Sequence, residues 1–476
     1  MTESQRQILD TDQKALEINL DDSIYGSFAE IGAGQEVARY FFKVGAAAGT
    51  IAKSMSAYDK VVSDDIYGVE ASGRYVCEPR LYKMLDHEFA LMVRRLRAAR
   101  SETSFFAFAD TIAAMNFQKT IKGDGWLGMR FQLDPKTEPN DIVIHVRMLD
   151  TSTQQQQQAI GVLGVNLIYA CYHYHEDPET LLISLLDNLH GRIAVDMVRV
   201  SGPAFENVDN RLLCLWLVKH GLTEVAMFGP DKRALHASEF LYRKNVMVVR
   251  GNYRPATLVH MDLIKAGFSQ FKTEEEIDPE NAFLLTEITL DNLRVGGKPN
   301  EKDFLDRADL LCSLGQTVVI SNCEKFHKLI SYLADYKIRN VGVVFGVRKL
   351  MDLINSLYYQ NMDERLLAAF GEIFTKRVRI YVYPSLQKGS NDLMTCDNMP
   401  VPNGVHYLFK HLLENRQIVD MEDYDPEVLH IHSKKVLKSL QDGDKEWEKM
   451  VPLKVANLIK EYNLFGYPKP HPEVEM

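Results

Sequence analysis

QTVVISNCEKFHKLISYLADYKIRNVGVVFG, residues 316–346, reads as strand, helix, strand, and this reading decides the fold. Val318–Ile320 and Val343–Phe345 are short, near-continuous apolar runs, the signature of strands covered on both faces. Between them EKFHKLISYLADY places apolar residues at helical spacing. The unit recurs outward in both directions. TEVAMFG (223–229), NVMVVRG (245–251), FLLTEITL (283–290) and RVRIYVYP (377–384) are further apolar runs, and RIAVDMVRVSG (192–202) is read as the first of the series. NRLLCLWLVKHG (210–221) and EKDFLDRADLLCSLG (301–315) supply helices between them. Strands alternating with helices predict a mainly parallel doubly wound sheet, with an α/β barrel as the alternative.

Upstream the pattern is different. SFFAFADT (104–111), GWLGMRFQL (125–133) and IVIHVRMLD (142–150) are β-rich, and the turn segment between the last two suits an antiparallel connection. A helix is expected to start in the glutamine run 154–158, and another over LYKMLDHEFALMVRRLR (81–97). The expected organisation is an N-terminal α+β domain over 1–190, an α/β domain over 191–420 and a helical C-terminal appendage over 421–476.

Glu30-Ile31-Gly32-Ala33-Gly34 resembles a glycine-rich nucleotide loop, but Val37 stands where the fingerprint has its third glycine. FAEI is short for a strand, and AKSMSAYD (52–59) reads as helix where the fingerprint needs a strand ending in an acid. Val37, Tyr40, Phe41, Val44, Ala48, Ile51, Met55 and Tyr58 recur at helical steps. The expectation is one helix packed closely through Gly45 and Gly49, with no dinucleotide bound.

Composition narrows the function classes. Of 476 residues 46% are hydrophobic and 25% charged, as in an ordinary globular protein, and the formal charge of -10 argues against nucleic acid as the main partner. The six cysteines are scattered, with no C-x-x-C pair, and read as buried thiols of a reducing compartment. The first residues lack the basic and apolar regions of an export signal, so the expected location is the cytoplasm. The apolar stretch Ala159–Tyr172 is too short to cross a bilayer. His173 and His175, and His430 and His432, lack an accompanying set of ligands, so no metal is expected; the cofactor is left unknown.

The residues that follow the apolar runs carry the functional expectation. In an open α/β sheet the carboxyl ends of the strands line the ligand crevice. Arg250, Asn252, Arg254, Ser321, Asn322 and Arg348 are therefore the candidate ligand-binding residues, the arginines to hold an anion. Asp262, Glu287 and Asp291 are the acid–base candidates, because a carboxylate near a strand is costly unless paired or used. The expected function is an enzyme acting on a nucleotide or other phosphorylated metabolite, with group transfer as the reaction class. The alternative is a non-catalytic homo-oligomer with assembly or regulatory duties, and a homo-oligomer is expected on either reading.

FAEIGAGQEVARYF, RGNYRPATLVHMDLI, TVVISNCEKF and VGVVFGVRKLMDLINSLYY together resemble a bacterial protein family whose members carry the labels nicotinate-nucleotide adenylyltransferase or TonB-dependent receptor. The resemblance implies a bacterial chain matched over most of its length. Neither label has motif support: the H-x-G-H phosphate motif of the adenylyltransferases is absent, and a receptor needs an export signal and many amphipathic barrel strands. The resemblance carries over no catalytic residue.

Overall fold

The computed structural model describes residues 6–119, 122–295, 298–355, 366–374, 377–387, 389 and 391–467. The chain divides into two compact units, 1–226 and 227–476.

The first unit opens with α1 (Thr11–Leu20), started by a capping box in which Asp10 and Gln13 satisfy each other's backbone N–H. β1 (Ile24–Gly32) and α2 (Val37–Val44) follow, then a single 3₁₀ turn at Ala47–Gly49 and β2 (Ile51–Ala57). α3 (Lys60–Tyr67), α4 (Glu78–Leu96), β3 (Ser104–Ala113), β4 (Asp124–Phe131), β5 (Asn140–Met148), α5 (Thr153–His173), α6 (Pro178–Ser184), β6 (Ile193–Ser201) and α7 (Asn210–Lys219) complete it. The sheet runs β2-β1-β3-β4-β5-β6. β1 is parallel to both of its neighbours, and the remaining pairs are antiparallel. Phe28, Phe41, Phe106 and Phe108 form the aromatic centre of the core that α1, α2 and α5 share with one sheet face.

Four local expectations are corrected by the structure. FAEI is the end of a nine-residue strand, β1. The helix from Val37 stops at Val44, because Gly45 (φ +86) and Ala46 (φ +60) leave the helical region, and AKSMSA is a strand. Among the described residues nothing lies within 4 Å of a Cβ built on Gly45 or Gly49, so neither glycine mediates close packing. RIAVDMVRVSG does not begin the parallel series. It is β6, and Met148 pairs with Ile193, so α5 and α6 together return the chain to the end of the sheet where β5 finished.

The second sheet begins with β7 (Val225–Phe228), which straddles the division and pairs antiparallel with β8 (Ala234–Leu235). After α8 (Ala237–Phe240) come β9 (Asn245–Arg250), α9 (Leu258–Thr273) and β10 (Ala282–Thr289). A hairpin of β11 (Arg294–Val295) and β12 (Lys298–Pro299) precedes α10 (Glu301–Ser313), β13 (Thr317–Ser321), α11 (Phe326–Ala334), β14 (Asn340–Gly346), α12 (Val347–Leu353), α13 (Leu366–Phe374) and β15 (Val378–Tyr383). β16 (Ser385–Leu386) and β17 (Leu393–Met394) form a second hairpin, followed by α14 (His406–Glu414), β18 (Ile418–Asp420), α15 (Ser433–Gln441) and α16 (Leu453–Tyr462). The order is β18-β15-β14-β9-β10-β13-β7-β8. Strands β9, β10, β13, β14, β15 and β18 pair in parallel. The sheet is doubly wound and mainly parallel; it is open, with β18 and β8 at its edges, and not a barrel.

The end of the described chain packs within the second unit: the Phe465 N–H donates to Asp306 of α10 at 3.1 Å, and Lys454 reaches the Ser313 carbonyl. All six cysteines are buried free thiols. Among the described residues no helix is long and apolar enough to cross a membrane.

Candidate functional site

The strand order fixes where a ligand crevice can open. From β9 the chain proceeds outward to β10 and β13, then returns to the other side of β9 and proceeds through β14 and β15 to β18. Connections therefore leave β9 and β14 in opposite directions, and the space outside their carboxyl ends is a topological switch point. A cavity of ≈ 440 Å³ lies there, lined by Arg250, Gly251 and Asn252 after β9, Thr289, Asp291 and Asn292 after β10, Glu324, and Gly346 and Lys349 at the end of β14. A cavity of ≈ 430 Å³ at the amino ends of β14 and β15, beside Arg377 and Arg379, has no such relation to the topology. Both have the size of ligand pockets, so topology decides between them.

Arg250 is a structural clamp at the floor of the crevice. Its Nε and one terminal nitrogen donate to the two carboxylate oxygens of Glu287 at 2.7 and 2.8 Å, and it also donates to the carbonyls of Cys323 and Glu324 at 2.9 and 3.1 Å. Glu287 is fully buried in β10 and accepts a further 2.5 Å hydrogen bond from the Ser321 hydroxyl of β13. A single carboxylate thus ties together the ends of three adjacent strands. The charge of Arg250 is compensated by a bidentate partner, which leaves it poorly suited to anchor a ligand anion by itself.

The walls are tied by a residue outside the sequence-based candidates. Arg307, buried in α10, donates to the side-chain oxygen and the carbonyl of Asn252 at 2.6 and 2.9 Å, and to the Asn292 carbonyl at 2.9 Å. It also pairs with Asp303, which holds Arg254 at 2.5 Å. The Asp303-to-Arg307 step is a helical i,i+4 pair and was the available sequence signal. In the β9–α9 turn, the Tyr253 ring folds back into the space a Cβ on Gly251 would need, with its hydroxyl on the Val249 carbonyl at 2.8 Å. His260 Nδ1 accepts from the Thr257 N–H at 3.1 Å, and burial lowers its pKa to about 4, so the imidazole is neutral.

The candidates thus separate. Arg250, Asn252 and Asp291 line one cavity, with Glu287 and Ser321 holding its floor. Asp291 is half-exposed at the mouth, 3.3 Å from Arg294. Arg254 turns to α10. Arg348 is exposed and donates to the Leu386 carbonyl at 2.8 Å, and Asn322 is exposed beyond β13. Asp262, on α9, accepts the Tyr383 hydroxyl at 2.6 Å and the Asp425 N–H at 3.0 Å, and does not line the cavity. Lys349, absent from the sequence-based set, brings an exposed cation to the crevice, loosely paired with Asp352 at 3.9 Å.

In the first unit, β1, α2 and β2 form a parallel strand–helix–strand unit with Gly32 at φ +74 at the end of β1. The first N–H groups of α2 are occupied by the chain itself: Glu30 accepts from Val37 at 2.8 Å and Ala38 at 3.4 Å. Asp59, just beyond β2, caps α3 through the N–H groups of Val61 and Val62.

No family model matches the chain, and no curated protein matches it. Solved structures with local likeness include the competence/damage inducible protein CihA from Agrobacterium tumefaciens, at 16% identity and a TM-score of 0.25 over 35% of this chain and 98% of that one. Nicotinic acid mononucleotide adenylyltransferase from Plasmodium falciparum gives 11% identity and a TM-score of 0.30 over 47% of this chain and 98% of the other. A putative nicotinate-nucleotide adenylyltransferase from Vibrio parahaemolyticus gives 12% and 0.21 over 47% and 97%. At these TM-scores the likeness bears on neither mechanism nor substrate.

Proposed function

We propose that the chain is a cytosolic enzyme whose second unit binds a nucleotide or another phosphorylated metabolite in the crevice at the β9/β14 switch point, with group transfer as the reaction class. One observation carries the reading: the carboxyl ends of β9, β10 and β14 converge on one cavity where the strand order reverses. Gly346 keeps one wall low enough for a ligand to approach the backbone. Lys349 is the cation placed to meet a phosphate, and Asn252 and Asn292 are held by Arg307 at fixed positions on the walls. Asp291 is the acid–base candidate that remains at the mouth.

Titration of the purified chain with nucleoside mono- and triphosphates tests this. Lys349→Ala is expected to weaken binding roughly tenfold, about 1.4 kcal/mol, with thermal stability unchanged. Equal affinity of both proteins for a compound that binds the wild type would remove Lys349 from the site.

A second reading, self-association, is favoured by a separate observation. Tyr58, Val61 and Val69, on and beside α3, are each at least 70% exposed, a concentration of bare apolar side chains that a second copy of this chain would cover. Val61→Asp is expected to lower the mass seen by light scattering; a monomeric wild type would end that reading.

A further inference from the structure

The first unit buries two carboxyl groups that the proposed function does not use. Glu30 on β1 and Asp110 on β3 are register partners on adjacent parallel strands, 3% and 0% exposed. Neighbouring strands lie about 4.8 Å apart, so partners on one face are in direct reach of each other. Glu30 holds the N-terminus of α2 through Val37 and Ala38. Among the described residues no side chain donates to either oxygen of Asp110, which has only the Ile31 N–H beside it, and a Cβ on Gly34 would fall 2.0 Å from one of them. The carboxyl group is thus enclosed beneath the turn that leads into the helix.

Among the described residues no cation adds its charge to this pair. Across the sheet, Ser56 of β2 stands opposite Glu30 and Leu127 of β4 opposite Asp110. At the N-cap of α2 Glu36 adds a like charge, and on the helix Arg39 is paired with Glu36 at 3.2 Å and Lys43 with Asp12 at 2.7 Å. α5 carries no charged residue before His173 at its far end, and Lys14 of α1 is bound to Asp187 at 2.7 Å. Two ionised carboxylates in such surroundings repel each other and lack solvent, and a retained proton relieves both costs.

We propose that Glu30 and Asp110 share one proton, and that this carboxyl pair is a pH-sensitive latch fastening the Gly32–Gln35 turn and the start of α2 to the sheet. The arrangement is self-consistent: a protonated Asp110 donates to Glu30, while Glu30 keeps its negative charge on the helix N-terminus, where the helix dipole favours it. Burial pushes the pKa of Glu30 up to about 7 against the pull of the two helix N–H groups. Burial, then the charge of Glu30, pushes Asp110 well above the carboxylate range, offset only in part by the Ile31 N–H.

The sign of the pH dependence follows. The folded chain holds protons that the unfolded chain releases in the ordinary carboxylate range, so the stability the pair contributes is complete only below that range and is lost progressively as pH rises from it through about 7 and beyond. Thermal unfolding and amide exchange at Val37 and Ala38, corrected for intrinsic rates, should be followed from pH 5 to 9 in the wild type, Asp110→Asn and Glu30→Gln. The wild type should lose stability and protection across that range. Asp110→Asn should flatten the dependence and melt higher than the wild type at pH 8. A parallel profile in Asp110→Asn, with a lower melting temperature at pH 8, would overturn the latch. Infrared spectroscopy of the wild type decides the matter if the variants do not fold: a buried protonated-carboxyl band at pH 6 that fades by pH 9 supports the shared proton, and its absence at pH 6 refutes it.

Discussion

Arg250 stands at the crevice with its charge already spent. Removing it leaves Glu287 buried without a counter-ion, a change that typically costs about 3–5 kcal/mol. Arg250→Ala is therefore expected to destabilise the second unit by roughly that amount in urea unfolding. If stability holds and only ligand affinity falls, Arg250 is the anion anchor that the sequence indicated, and the clamp is misassigned. Polar residues at strand ends were legible in the sequence, and Arg250, Asn252 and Asp291 do reach one cavity. Their partners were not legible, because the Arg250–Glu287–Ser321 contact joins residues 37 and 34 positions apart on three separate strands. Lys349 was passed over because it follows a strand end by three residues, on a helix whose direction only the fold supplies.

At the scale of elements, the glycines of the first unit divide into two kinds. Gly34 has Asp110 where its side chain would be, whereas Gly49 faces open space among the described residues. Gly34→Val should lower stability by about 1–3 kcal/mol or more through overpacking, and Gly49→Leu should change it by less than about 0.5 kcal/mol. A large loss in Gly49→Leu would show that another surface covers this turn. The apolar spacing from Val37 to Tyr58 imitates one helix across two elements. α2 supplies its first half, while Ile51 and Met55 sit on an edge strand four residues apart, a step compatible with both the helical and the strand period. Where the periodicity was long and the turns polar, as in α5, α7, α10 and α11, the sequence placed the helices.

For the whole molecule, the parallel series was legible because each strand of the second sheet is apolar on both faces and each crossover carries its own helix. The membership of β6 was not, since Val and Ile runs look alike in parallel and antiparallel settings and pairing with β5 depends on the path of α5 and α6. β6 completes the first sheet before β7 begins, so a break between them should leave both sheets whole. Residues 223–476 produced alone are expected to fold cooperatively and to retain the nucleotide affinity of the full chain. A fragment that folds but does not bind would place determinants of the site upstream of residue 223.

The most direct test of the central claim is to fill the crevice. Gly346 has φ −70, which any residue adopts, and among the described residues nothing lies within 4 Å of its Cβ position, so a large side chain there should occupy the cavity without straining the fold. Native mass spectrometry of the wild type and Gly346→Trp against a panel of nucleoside mono-, di- and triphosphates gives the readout, with melting temperature as the control for folding. A stoichiometric phosphorylated ligand is expected on the wild type, and its loss, at unchanged melting temperature, in Gly346→Trp. Equal binding by both proteins, or no phosphorylated compound bound by the wild type, would contradict the central claim.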